Sequence, residues 1–197
     1  MSTGAIIGLV VAVLVVLVVL VFVVRPAMQR KRLRDRFGPE YDRAVSHSDS
    51  RTAAEKELAE REHRHSEFDL KPLSPSAQES YRRHWAGVQA KFVDSPDKAI
   101  ADADRLVTDL MAERGYPTEG YEAQLSVLSV EHARTLEHYR KAHDISERQE
   151  IGEASTEDLR TAMVHYRELF TDLLERGAAP DKDREAARKE RKEKTDV

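Results

Sequence analysis

The sequence predicts an all-α protein: an N-terminal single transmembrane helix, a helical bundle domain of about five to seven helices, and a disordered charged tail. Three observations predict it. Residues Ala5 to Val24 read AIIGLVVAVLVVLVVLVFVV, an apolar run without one charged or polar side chain. Beyond that run, apolar residues recur at spacings of three and four, and strand-like alternation is absent. Ser-Pro pairs and single glycines mark where helices start and stop.

The run of residues 5–24 makes a helix of about 30 Å, the thickness of a bilayer hydrocarbon core. It is too long for the apolar core of a cleavable signal peptide, and no basic residue precedes it. It therefore reads as a permanent signal anchor. The flank 25–36 carries Arg25, Arg30, Lys31, Arg32, Arg34 and Arg36 against the single acid Asp35. Positive charge stays on the cytoplasmic side, so residues 1–4 are expected outside and the chain after Arg25 inside. The same six basic residues set the topology and can touch anionic lipid head groups, at about 1 kcal/mol each near the surface. Gly4, Gly8 and Ala12 recur every fourth residue, the spacing at which two helices approach closely. A homodimer through the anchor would use that face, although chance also explains small residues in such a segment.

Charge is unevenly spread along the chain. The flank 25–36 is net +5, and the tail 178–197 has seven basic and six acidic side chains. With the chain at −4, residues 37–177 carry −10. A body that acidic is unsuited to neutralising phosphates, which argues against nonspecific nucleic-acid binding. There is no Cys, so disulfide and thiol chemistry are excluded.

The body, residues 37–177, reads as a series of helices. Gly38-Pro39 breaks the juxtamembrane helix, and Pro39 suits the first turn of a short helix from Glu40 to Ser46. Ser50 caps a charged helix to about Phe68, whose apolar stripe is only Ala54, Leu58, His65 and Phe68. Lys56–Glu60, Glu57–Arg61 and Glu60–Arg64 are spaced to pair across one turn of it. Ser74-Pro75 starts the next helix, with Tyr81, Trp85, Val88 and Phe92 on one face and Trp85 as its central core residue. Ser95-Pro96 starts another, burying Ile100, Ala103, Leu106, Val107, Leu110 and Met111 and ending at Gly115. Thr118 is expected to cap a helix to Leu128, with Tyr121, Leu125 and Leu128 inward. A break near Ser129 should lead into a helix from Glu131 to about Arg148, with Leu136, Tyr139, Ala142 and His143 inward. Ser155 with Asp158 resembles a capping box for the last helix, which carries Leu159, Met163, Tyr166, Phe170, Leu173 and Leu174 and closes at Gly177. The tail 178–197 has no apolar face and reads as solvated and mostly disordered.

No catalytic, cofactor-binding or metal-ligating residue is assigned. Glu60-His63 and Glu62-His65 have the E-x-x-H spacing of di-iron bundles, but both lie on one helix and lack partners elsewhere. His165 with Glu168 is the reversed order, and H-E-x-x-H is absent. Neither a G-x-S-x-G elbow nor a Gly-rich phosphate loop occurs. The aromatic and Met positions are spaced as a core requires, although a bundle core can also hold an apolar ligand.

The stretches RFGPEYDRAV (36–45), KPLSP (71–75), YRRHWAGVQAKFVDSPDKAIADADRLVTDLMAERGYP (81–117), LSVEHARTLEHYRKAH (128–143) and TEDLRTAMVHYRELF (156–170) carry a resemblance. The chain is similar to an uncharacterised family of small single-pass bacterial membrane proteins, mainly actinobacterial, with a helical cytoplasmic domain. The resemblance runs from the anchor to about Leu174. It implies a bacterial cell-membrane location and supplies no activity, cofactor or site residue.

Together these readings point to a noncatalytic module held at the inner face of a membrane, with the lipid bilayer and another protein as partners. The alternative is a sensor for a small apolar or lipid ligand in the core near Trp85. Protease added to intact spheroplasts is expected to spare residues 37–177; cleavage of that body from outside would reverse the topology.

Overall fold

Proline at the first turn starts three of the helices, and glycine shapes several of the turns between them. The computed structural model describes residues 27–177, with Ala12 and Arg25 besides. The predicted span 5–24, Ala12 excepted, and the tail 178–197 lie outside the described residues. Among the described residues, no helix is long and apolar enough to cross a membrane. The described chain is all-α: α1 (described over 27–37), α2 (Pro39–His47), α3 (Arg51–Ser66), α4 (Pro75–Lys91), α5 (Pro96–Arg114), α6 (Tyr121–Glu131), α7 (Leu136–Glu150) and α8 (Thr156–Arg176). It divides into two units, residues 1–60 and 61–197, so the division falls inside α3.

In the first unit, Gly38 adopts φ 48° between α1 and α2, and Pro39 opens α2. Leu33, Phe37, Tyr41, Ala44, Ala54 and Leu58 are buried. Glu55 joins three helices through one oxygen. Tyr41 Oη donates to Glu55 Oε1 at 2.7 Å, and Arg30 Nε donates to the same atom at 3.0 Å. Burial and the Glu55 carboxylate both push the Tyr41 phenol up, so the donor keeps its hydrogen.

In the second unit, α8 packs on α7 and α5, α4 packs on α5, and α6 on α7. The capping signals explain the starts. Ser74 Oγ accepts from Ala77 N, and Ser155 with Asp158 forms a complete capping box. Ser95 is the N-cap of α5 but makes no side-chain cap bond. Trp85 stacks on Phe170 with centroids 4.7 Å apart, at the heart of the core. Tyr81 and Phe92 are only half-buried at its edge.

Two glycines are fixed by close approach. Gly115 is left-handed at φ 86°, and a Cβ there would lie 2.7 Å from the Asp69 carbonyl oxygen. Gly177 has an ordinary φ of −78°, so it is not the left-handed stop that a terminal glycine suggests. A Cβ there would meet Arg114 Nε at 2.8 Å. The extended segment before α4 ties off both helix ends: Lys71 N donates to the Arg114 carbonyl, and Leu73 N to that of Gly177.

Two expectations about the middle of the chain are corrected. α6 begins at Tyr121 after Gly120 rather than at a Thr118 cap, and it runs through Ser129 to Glu131. Every residue from Gln124 to Val130 is buried, so α6 is enclosed on all sides rather than amphipathic. Ser129 does not break it, because its hydroxyl donates back to the Ser126 carbonyl within the helix. The break falls at residues 132–135, and α7 starts at Leu136 instead of Glu131. There the side chains of His132 and Thr135 are taken by Asp172 of α8, which turns the chain.

Gly115→Ala combines left-handed strain with overlap on a neighbouring backbone, and is expected to cost about 2–4 kcal/mol in denaturant unfolding. Gly87→Ala, in open space on α4, is expected to be neutral or stabilising.

Candidate functional site

The largest concentration of buried polar groups lies where α5, α6 and α8 end, and it is built around His132. Arg114 closes α5, Tyr116 follows it, His132 caps α6, and Asp172 sits on the last turns of α8. The His132 side chain is fully buried. Its Nδ1 donates to Asp172 Oδ2 at 2.7 Å, and its Nε2 lies 2.9 Å from Tyr116 Oη. Thr135 Oγ1 donates to the same Asp172 oxygen at 2.8 Å, and Arg176 Nε to the other at 2.7 Å. Partial burial opposes ionisation of Asp172, but the bonds from His132, Arg176 and Thr135 outweigh it and hold its carboxyl well below the usual range.

The cluster extends outward through Glu131. Tyr116 Oη lies 3.1 Å from Glu131 Oε2, and His65 Nε2 lies 3.3 Å from Glu131 Oε1. The phenol has one hydrogen for two acceptors. Both acceptors, Glu131 Oε2 and His132 Nε2, therefore compete for that single hydrogen. Arg114 completes the set: its guanidinium lies 5.2 Å from the Tyr116 ring centre and donates to the Leu173 carbonyl at 3.2 Å. The negative end of α8 and the ring face thus balance a buried cation.

A His–Asp pair beside a hydroxyl has the layout of an activated nucleophile, yet it cannot act as one here. Tyr116 stands in the nucleophile's place, is 3 % exposed, and burial pushes its phenol pKa far up. The hydroxyl stays protonated and substrate has no approach to it. What the arrangement does is fasten three helix ends together.

The histidines weighed as ligands are used otherwise. His165 pairs not with Glu168 but with His138, Nδ1 to Nδ1 at 2.8 Å across α7 and α8. The ring centroids are 5.0 Å apart, about equal to that contact plus the two ring radii. The nitrogens therefore meet head-on through one hydrogen and do not converge on a third point where a metal would sit. His63 lies 3.6 Å from Glu67, and His65 faces Glu131. Among the described residues, no group of three or more His, Asp or Glu is placed to hold a metal.

Of the basic flank, Arg30 pairs with Glu55 and Arg34 with Asp42 at 3.1 Å. Arg25, Lys31, Arg32 and Arg36 are exposed. Gly4 and Gly8 lie outside the described residues, and Ala12 is helical and exposed.

Sequence reasoning missed the His132 cluster. Its members span Arg114 to Arg176, and the one local signal is the i,i+4 spacing of Asp172 and Arg176.

The shifted groups set a pH dependence. Asp172 is depressed, so the unfolded chain binds its proton first as pH falls, and its stabilising contribution is full above about pH 3.8 and lost below it. His165 is also depressed, by burial and by His138, so its contribution is full above about pH 6.5 and declines as pH falls from there. In urea unfolding across pH, D172N should flatten the curve below pH 3.8 and H165N the segment just below pH 6.5. No family model, curated protein or solved structure matches the chain, so its own residues carry the functional reading.

Proposed function

We propose that the chain is a noncatalytic helical interaction module, an adaptor or regulator, tethered at the inner face of a bacterial membrane. One observation carries the reading. Of the side chains best suited to chemistry, His132 and Tyr116 are buried and Asp172 is partly buried, and the three are bonded to one another. Solvent meets a body of net charge −10. Charge of one sign over a helical surface steers complementary partners and repels others. The apolar run 5–24 and its basic flank supply the tether in this reading, and confinement to a membrane raises the effective concentration of partners held there.

The sensor alternative needs space beside Trp85. One face of Trp85 is covered by the stacked ring of Phe170, and Trp85 itself is buried in the core. That packing favours the interaction reading over an apolar ligand.

The test is affinity purification of the full-length protein from its native membrane after crosslinking, with mass spectrometry of proteins and small molecules. A reproducible protein partner, lost when residues 37–177 are removed, is the expected result. Recovery of the protein alone under several growth conditions, or of a lipid without a partner, would sink the proposal.

A further inference from the structure

Between α5 and α7 runs an open groove of about 600 Å³, floored by Asp104, Thr108 and Ser146. Lys98, Arg105 and Glu150 stand on its exposed rim. Beneath the floor lies Tyr166, whose hydroxyl is 2.8 Å from Asp104 Oδ1 and 2.9 Å from Ser146 Oγ.

The hydrogens in this trio can be assigned. Burial and the Asp104 charge push the Tyr166 phenol far up, so it keeps its hydrogen. A carboxylate only accepts, so that hydrogen goes to Asp104. The Ser146 hydroxyl must then donate to the phenol oxygen. The trio itself offers a ligand only acceptors: the second oxygen of Asp104 and the lone pairs of Ser146. The C-terminal end of α7, with its negative dipole, closes the same side.

We propose that this groove receives a lysine ammonium from a partner protein. The ammonium has three donors and no acceptor, which matches separate acceptors on a carboxylate and a hydroxyl. An arginine fork is served best by a carboxylate with both oxygens free, and Tyr166 occupies one of them. Lys98 and Arg105 on the rim, offset by Asp97 and Glu150 and screened by water, leave room for an acidic residue next to that lysine. The inference rests on the interaction-module reading for the source of the lysine; the recess stands on Asp104, Ser146 and Tyr166.

The probe is the short peptide acetyl-Gly-Lys-Glu-amide, titrated into the full chain in detergent micelles. The readout is the amide resonances of Thr108, Ser146 and Gln149. Saturable shifts are expected, with affinity falling about tenfold for D104N and for the same peptide acetylated on its lysine. Absent shifts, or equal affinity for the acetylated peptide, would overturn the proposal. D104N keeps an oxygen for Tyr166; should that variant not fold, the acetylated peptide on the natural chain decides alone. Peptide binding without any partner in the membrane purification leaves the recess standing and removes the interaction reading. A partner recovered equally by natural chain and folded D104N overturns the lysine proposal and leaves that reading intact.

Discussion

His132 reaches Asp172 across forty residues of sequence, and the bond between them decides where α6 stops. Helix lies on both sides of that point, from Tyr121 to Glu131 and from Leu136 to Glu150. Asp172 takes the side chains of both His132 and Thr135, and the chain turns there. α7 can then return along α8, the largest packed interface of the second unit. Arg114 depends on the same turn. Its buried charge is tolerable because the α8 carbonyl at Leu173 and the ring of Tyr116 are already in place. Breaking such a cluster by removing one member costs more than the cluster contributes as a whole, because the remaining charges stay buried.

The same economy of polar groups recurs in the core. Each buried tyrosine on α7 and α8 carries its hydroxyl to a partner: Tyr139 to Gln124 at 2.7 Å, Tyr166 to Asp104. Burial keeps both phenols protonated, so they serve as fixed donors at all ordinary pH. A fixed donor orients its acceptor. Gln124 is thereby held inside the enclosed α6, and Asp104 is held at the edge of the α5–α7 groove. These bonds fix the rotation of each helix about its axis, which apolar contacts alone define loosely.

Helix existence was legible in the residues, because caps and periodicity are local. Ser74-Pro75, Ser95-Pro96 and Ser155 with Asp158 marked the starts of α4, α5 and α8, and Trp85 was recognisable as core. The α6–α7 boundary was not legible. Its cause is a carboxylate on a distant helix, and the nearer signal, Ser129, points the wrong way. The glycine at 177 was readable as a stop but not for its reason, which is the guanidinium of Arg114 pressing where a side chain would be. The His132 cluster was hidden for the same cause: each member looks like an ordinary surface residue until the fold brings the ends of α5, α6 and α8 together.

The backbone bond from Leu73 to the Gly177 carbonyl has a consequence for how this body sits in a chain. It places the residue just before α4 beside the residue just after α8. A segment whose two ends meet can be grafted into another polypeptide, or lengthened at either end, without stretching its neighbours. The α4–α8 body is in that sense a cassette, whose two ends enter and leave at one place.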